Sequence, residues 1–172
     1  MTDTDTTPDL TPRAAAASAT EMVQIVLPND ANPLGFILGG TVMHLIDIAG
    51  AIAGHRHTRT RLVTAAVDGL QFLHPINVGD LIILKARVTC AFRTSLEVEV
   101  EAFSEAILTG ERKLTSRAFL TFVAIGRDGT RLPVPPLRLE TARDREQAAA
   151  AEQRRTARLE AKLAFRTAPP EL

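Results

Sequence analysis

The segment from Gly39 to Ala53 restricts the fold more than any other. Its apolar residues, Val42, Met43, Leu45, Ile46, Ile48, Ala49, Ala51 and Ile52, fall on nearly every side of a helical wheel. A helix that is apolar all round belongs in an interior. Gly39-Gly40-Thr41 opens it, and Gly54 is its expected stop, followed by His55, Arg56, His57, Arg59 and Arg61, basic groups that suit a helix C-terminus.

What surrounds this helix reads as sheet. Glu21 to Leu27 alternates as a strand, and the turn chemistry of Pro28 to Pro33 ends it. After the helix come four stretches rich in β-branched and aromatic residues: Leu62 to Leu73, Leu81 to Phe92, Ser95 to Ala106 and Lys113 to Ile125. Their connections are short, which favours antiparallel neighbours. In the third, Leu96, Val98, Val100 and Ala102 alternate with Glu97, Glu99 and Glu101, so the glutamate face is expected to be wet. The economical packing is an α+β domain with one helix laid across an antiparallel sheet. One sheet covers only one side of such a helix, and a second copy of the chain is expected to cover another, making a homodimer.

Composition narrows the partners. Twenty basic residues balance twenty acidic ones, so no overall field draws the chain to nucleic acid or an anionic membrane. No apolar run approaches the ~18 residues of a membrane span. A single cysteine, Cys90, excludes an internal disulfide, and four histidines show no zinc spacing, so no metal is expected and the location is read as cytoplasmic. Residues 1–20, with Asp3, Asp5, Asp9, two prolines and an Ala/Thr run, lack a signal peptide's basic start and apolar stretch and read as a disordered tail. Residues 21–137 form the domain, about one domain by size, ended by Pro133, Pro135 and Pro136. Residues 138–172 form a charged C-terminal helix and tail; from Glu140 to Lys162 the balance of Arg and Glu suggests a solvated helix or one that covers a sheet edge.

The chemical anomaly is Asp47, a carboxylate in the middle of the apolar helix. Such a group is paired or functional. His44, at i−3, offers a purely structural partner. Asn32 lies fifteen residues earlier in the turn before Gly39-Gly40, and taken by itself it reads first as a turn or cap residue. Glycines at a helix start also let a polarised carbonyl or a phosphate approach free amides at the positive end of the dipole.

Taken together, PNDANPLGFILGGTVMHLIDIAGAIAG resembles the signature of hotdog-fold acyl-CoA thioesterases, the acyl-CoA hydrolase group that includes cytosolic long-chain enzymes. The matching elements are Asn32, Gly35, Gly39, Gly40, Asp47 and Ala49-Gly50-Ala51. Two further pieces fit in order: VDGLQFLHPINVGD, Val67 to Asp80, and AFRTSLEVEV, Ala91 to Val100. The resemblance spans Pro28 to about Pro136, 109 of 172 residues.

It implies a five-stranded antiparallel sheet wrapped around one long buried helix, to which the composition after Glu140 adds a C-terminal helical extension. It also implies hydrolysis of acyl-CoA to free acid and CoA, without a metal or a cofactor beyond the substrate's own CoA. Asp47 is the expected acidic catalytic residue, a general base or nucleophile, and Asn32 its partner, the two meeting across a dimer interface. Such dimers commonly assemble as a trimer of dimers. Gly39 and Gly40 would polarise the thioester carbonyl, Thr64 matches a polar position near the site, and the Arg93-Thr94-Ser95 turn is where CoA contacts are implied. For each turn residue a plain hairpin is the alternative. The cluster from His55 to Arg61 reads better as a solvated helix end than as a phosphate site. Pro33 constrains Asn32 to extended conformations. His44 departs from the family pattern and raises a hydratase or dehydratase chemistry on acyl thioesters as an alternative; a non-catalytic acyl-CoA sensor is another.

Overall fold

The structure is a computed structural model that describes residues 8–167. Strand β1 (Arg13–Ala14) is followed by β2 (Thr20–Ile25), helix α1 (Gly39–Thr58), and strands β3 (Arg61–Phe72), β4 (Leu81–Ala91), β5 (Ser95–Glu105) and β6 (Arg112–Ile125). A short β7 (Leu137–Arg138) and helix α2 (Ala142–Thr167) complete it. β2 to β6 form one five-stranded sheet in the order β2-β4-β5-β6-β3, every pairing antiparallel. This is the expected α+β arrangement, and all five long strands fall within a few residues of their sequence reading.

Helix α1 packs against the inner sheet face through a strip of small residues. Ala49 and Ala53 are buried, and a Cβ placed on Gly50 would lie 3.2 Å from the Phe122 ring. One placed on Gly54 would lie 2.6 Å from Leu62. Gly54 therefore does not stop the helix; it lets helix and sheet approach closely in mid-course. The helix ends four residues later at Thr58, capped by Arg59, which adopts the left-handed conformation (φ 56°) and donates its N–H to His55 O at 2.8 Å. The opposite flank of α1 is left open: Met43 is 48% exposed and His44 is exposed.

Three sequence expectations are corrected. The first is the disordered tail over residues 1–20: residues 1–7 lie outside the described residues, but β1 pairs in parallel with β7, and Ala15 and Ser18 are buried. Arg13 holds the segment down by donating to His57 O at 2.7 Å. The second concerns one residue at the end of α1, where His55, Arg56, Arg59 and Arg61 are exposed as expected but His57 is not. His57 is wholly buried, its Nε2 bonded to Pro135 O at 3.0 Å, and burial pushes its pKa below the ordinary value.

The third is the wet glutamate face of β5. Glu97 and Glu99 are only 1% and 4% exposed, because α2 lies over them. Arg154 forks onto Glu97 with bonds of 3.0 and 2.7 Å and stacks over the Phe119 ring at 3.6 Å, while Thr89 donates to the same carboxylate at 2.7 Å. Arg143 and Arg117 face Glu99, whose carboxyl is nevertheless pushed above its ordinary range by burial and by Glu101. Arg87 pairs with Asp144, and Arg158 with Asp68. Alternation alone cannot tell a face covered by arginines from a face covered by water, which is why the sequence reading missed this.

Arg154→Ala is expected to destabilise the fold by about 3 kcal/mol or more, since it strands a buried carboxylate; urea unfolding measures it, and adding Glu97→Gln should recover part of the loss. His57 supplies a pH dependence. Its folded pKa lies below the unfolded 6.5, so the unfolded chain binds more protons below that pH. Stability should fall, by up to about 1.4 kcal/mol per pH unit, as pH drops below 6.5. Thermal melts between pH 7.5 and 5 should show this slope, and His57→Gln should flatten it.

Candidate active site

The first turn of α1 has no side-chain cap; Leu38 occupies the N-cap position in extended conformation. Its leading amides are therefore open to a ligand. Beside them lies a cavity of about 380 Å³ lined by Asn32, Phe36, Gly39, Phe72 and Ser116 among others. Gly39 lies against the Phe72 ring: a Cβ at that position would sit at ordinary contact distance, 3.4 Å, from it.

Asn32 is built into its turn on three sides. Its Oδ1 accepts the N–H groups of Leu34 (2.9 Å) and Phe36 (3.3 Å), and its own N–H donates to Phe36 O at 2.8 Å. Gly35, at φ 81°, closes the loop by donating to Asn32 O. The carboxamide is thus oriented with its oxygen occupied, and Nδ2 is the end that can donate to a ligand.

Asp47 is half-buried on α1, and its partner is on the sheet. Thr64 Oγ1 donates to Asp47 Oδ1 at 2.7 Å. A bulge between Thr64 and Ala66 interrupts the β3–β6 ladder just after this threonine. The pair opens on a second cavity of about 350 Å³, lined also by Met43, His44 and Val67. His44 shares the cavity, but the bond to Asp47 comes from Thr64, not from the residue one turn earlier.

One chain therefore brings together Asn32 with Gly39, and Asp47 with Thr64, in two separate cavities. Eight helical residues, roughly 12 Å at 1.5 Å per residue, separate Gly39 from Asp47. Gly40 is exposed beside the first cavity. Arg93, Thr94 and Ser95 line neither cavity; their turn joins β4 to β5 at the strand ends that lie beside Ile125, bonded through Thr94 O to Ala124 N at 3.0 Å. Arg155 stacks on the neighbouring Phe92 at 4.4 Å, adding a second guanidinium that sequence reasoning did not single out. Phe72 and Ser116 were also missed, since a strand aromatic and a strand serine carry no sequence signal of a site. Cys90 is no nucleophile: burial, reinforced by Glu152 and Glu97, pushes its thiol up to about 11. Among the described residues no group of His, Cys, Asp or Glu has the geometry to hold a metal, and no helix is long and apolar enough to cross a membrane.

A five-stranded antiparallel sheet against one long helix with an open glycine start defines a hotdog-fold protein. Residues 34–111 match the Thioesterase superfamily. The chain is 40% identical over 116 residues, 67% of each chain, to a Bacillus subtilis protein named as the uncharacterized acyl-CoA thioester hydrolase YkhA. It superposes on an apo-hexameric acyl-CoA thioesterase with a TM-score of 0.84 at 36% identity, covering 88% of this chain and 97% of the other. An acyl-CoA hydrolase from Staphylococcus aureus, solved with butyryl-CoA and CoA, superposes with a TM-score of 0.80 at 30% identity, covering 90% and 96%. The chain belongs to the Thioesterase superfamily. The Staphylococcus enzyme has also been solved with alanine replacing an Asn, an Asp and a Thr. That Asp follows the Asn by fifteen positions and the Thr follows the Asp by seventeen, the separations of Asn32, Asp47 and Thr64 here.

Proposed function

We propose that this protein hydrolyses acyl-CoA thioesters to free acid and CoA, at sites shared between two copies of the chain. The observation that carries the reading is the Asp47–Thr64 pair, a carboxylate held at a cavity wall by a hydroxyl at 2.7 Å. The identical spacing of the three replaced residues in the Staphylococcus relative supports it.

In this reading Asp47 is the general base. It takes a proton from water as the water oxygen bonds to the thioester carbon. The carbonyl electrons move to oxygen, where the amides at Gly39 and Gly40 stabilise the oxyanion. Collapse expels the CoA thiolate, and the proton held by Asp47 passes to it. Thr64 fixes the carboxylate, and Asn32 from the partner protomer directs Nδ2 at the water or the thioester. No metal or further cofactor enters these steps. Attack by Asp47 itself, through an anhydride, gives the same products.

The shared site answers the separation of Asn32 from Asp47 within one chain. Strand β3 offers the seam: it pairs only with β6 among the described residues, and Val63 and Val67 along it are 43% and 46% exposed. Pairing this edge with its copy would satisfy its open backbone and cover Met43 and His44. A trimer of such dimers is the further assembly, by analogy with the hexameric relative. The Arg93-Thr94-Ser95 turn, with Arg155 nearby, supplies cationic and hydroxyl groups for CoA phosphates.

Purified protein should release CoA from acyl-CoAs, read with a thiol reagent across short, medium and long chains; silence across all of them sinks the reading. Asp47→Ala should cut kcat by about 10²-fold or more, and Thr64→Val by about tenfold with little change in KM. Asn32→Ala should be similarly impaired, and co-refolding it with Asp47→Ala should restore activity through mixed dimers that carry one intact site. Mixed dimers that stay inactive would rule out the shared site.

A further inference from the structure

Helix α2 has a sheet-facing stripe that repeats every seven residues, two helical turns that return to nearly the same side. Asp144 is buried against β4, Ala151 is completely buried, and Arg158 reaches Asp68 on β3. The next member is Phe165, and it is 84% exposed. Every residue from Leu159 to Phe165 is exposed, with Leu159 at 52%. An aromatic side chain thus continues a buried stripe at a place where none of the described residues buries it.

The place is informative. The ion pairs of α2 advance from β4 (Arg87) through β5 (Glu97) to β3 (Asp68), so the helix arrives at the sheet's open edge before its apolar end begins. Asp68 lies in the middle part of β3 (Arg61–Phe72). If β3 pairs antiparallel with its copy, the two-fold axis falls near that middle, and both α2 ends arrive there from opposite sides. The nine residues after Arg158 extend roughly 13 Å, nearly three strands at about 4.8 Å spacing.

We propose that the last turns of α2 cross the β3 seam and dock on a second copy of this chain. Phe165 lies on the outer face of the partner's sheet, and Leu159 packs beside the partner's α2. Each helix then straps the two sheets together on the side away from α1, and Arg158–Asp68 sets its heading. The inference rests on the shared-site dimer proposed above.

The test places a benzophenone side chain at position 165 of the full-length protein and mixes unlabelled with nitrogen-15-labelled chains. Irradiation should give crosslinks between differently labelled copies, landing on α2 or the outer faces of β3 and β6. Crosslinks within one copy only, crosslinks to β2, or none in an intact dimer would overturn the proposal. In parallel, Leu159→Glu with Phe165→Glu should raise the dimer dissociation constant about tenfold or more, while Leu108→Glu, on the exposed β5–β6 loop, should leave it unchanged. An unchanged constant for the double variant overturns the strap alone. A wild-type chain that stays monomeric at every concentration removes the dimer reading, and the strap with it.

Discussion

The close approach of α1 to its sheet is the contact on which the rest depends. Small residues at Ala49, Gly50, Ala53 and Gly54 let the helix backbone settle onto Phe122 and Leu62. A side chain of ordinary size there would lift the helix and loosen the packing around it. With the helix seated, Asp47 comes within hydrogen-bond reach of Thr64, and Gly39 comes against Phe72. Both halves of the candidate site are therefore by-products of one packing decision, made with residues that carry no chemistry themselves. The same seating uses up only one flank of the helix. Its other flank, with Met43 and His44, stays exposed.

The outer face of the sheet is organised by a different force. Glu97 and Glu99 sit under α2 rather than under water, and their position is tenable because guanidinium groups arrive with them. Arginine suits this task better than lysine, since Arg154 forks onto Glu97 and lies flat on Phe119 at once. The arrangement gives little net stability compared with an apolar face of the same shape, but it punishes any misplacement of α2 severely. It therefore acts chiefly to set the direction of the helix. That direction carries α2 across the strands towards the β3 edge.

Much of this was legible in the sequence, for identifiable reasons. The five long strands and α1 are marked by periodicity and by turn residues between them, and those signals are local. The motif from Asn32 to Asp47 is likewise contiguous, so its elements could be matched one by one. What escaped is what depends on residues far apart in the chain. Glu97 reads as solvent-facing until α2, beginning some forty-five residues later, is laid across it. Gly54 reads as a helix stop, and only Leu62 packed beneath it shows that it is a point of contact. His57 reads as a surface cation, although Pro135 O, seventy-eight positions away, takes it into the interior as a neutral ring. Phe72 gains its place at the cavity from the β3–β6 register, which no single stretch of sequence encodes.

The separation of Asn32 from Asp47 follows from the same geometry. An open helix start is where amides can stabilise a developing negative charge, so the residue that guides substrate to it belongs in the preceding turn. A carboxylate placed in that first turn would be stabilised by those amides and would compete with the developing oxyanion for them. Two turns further along, Asp47 escapes the end of the dipole and takes its hydrogen bond from a sheet hydroxyl instead. In the proposed mechanism one helix thus supplies both functions but holds them roughly 12 Å apart. A second helix, brought alongside in the opposite direction, sets the start of each against the middle of the other. Closing the β3 edge in the proposed two-fold dimer is one operation that would achieve this, and it would also cover the flank of α1 that its own sheet leaves open.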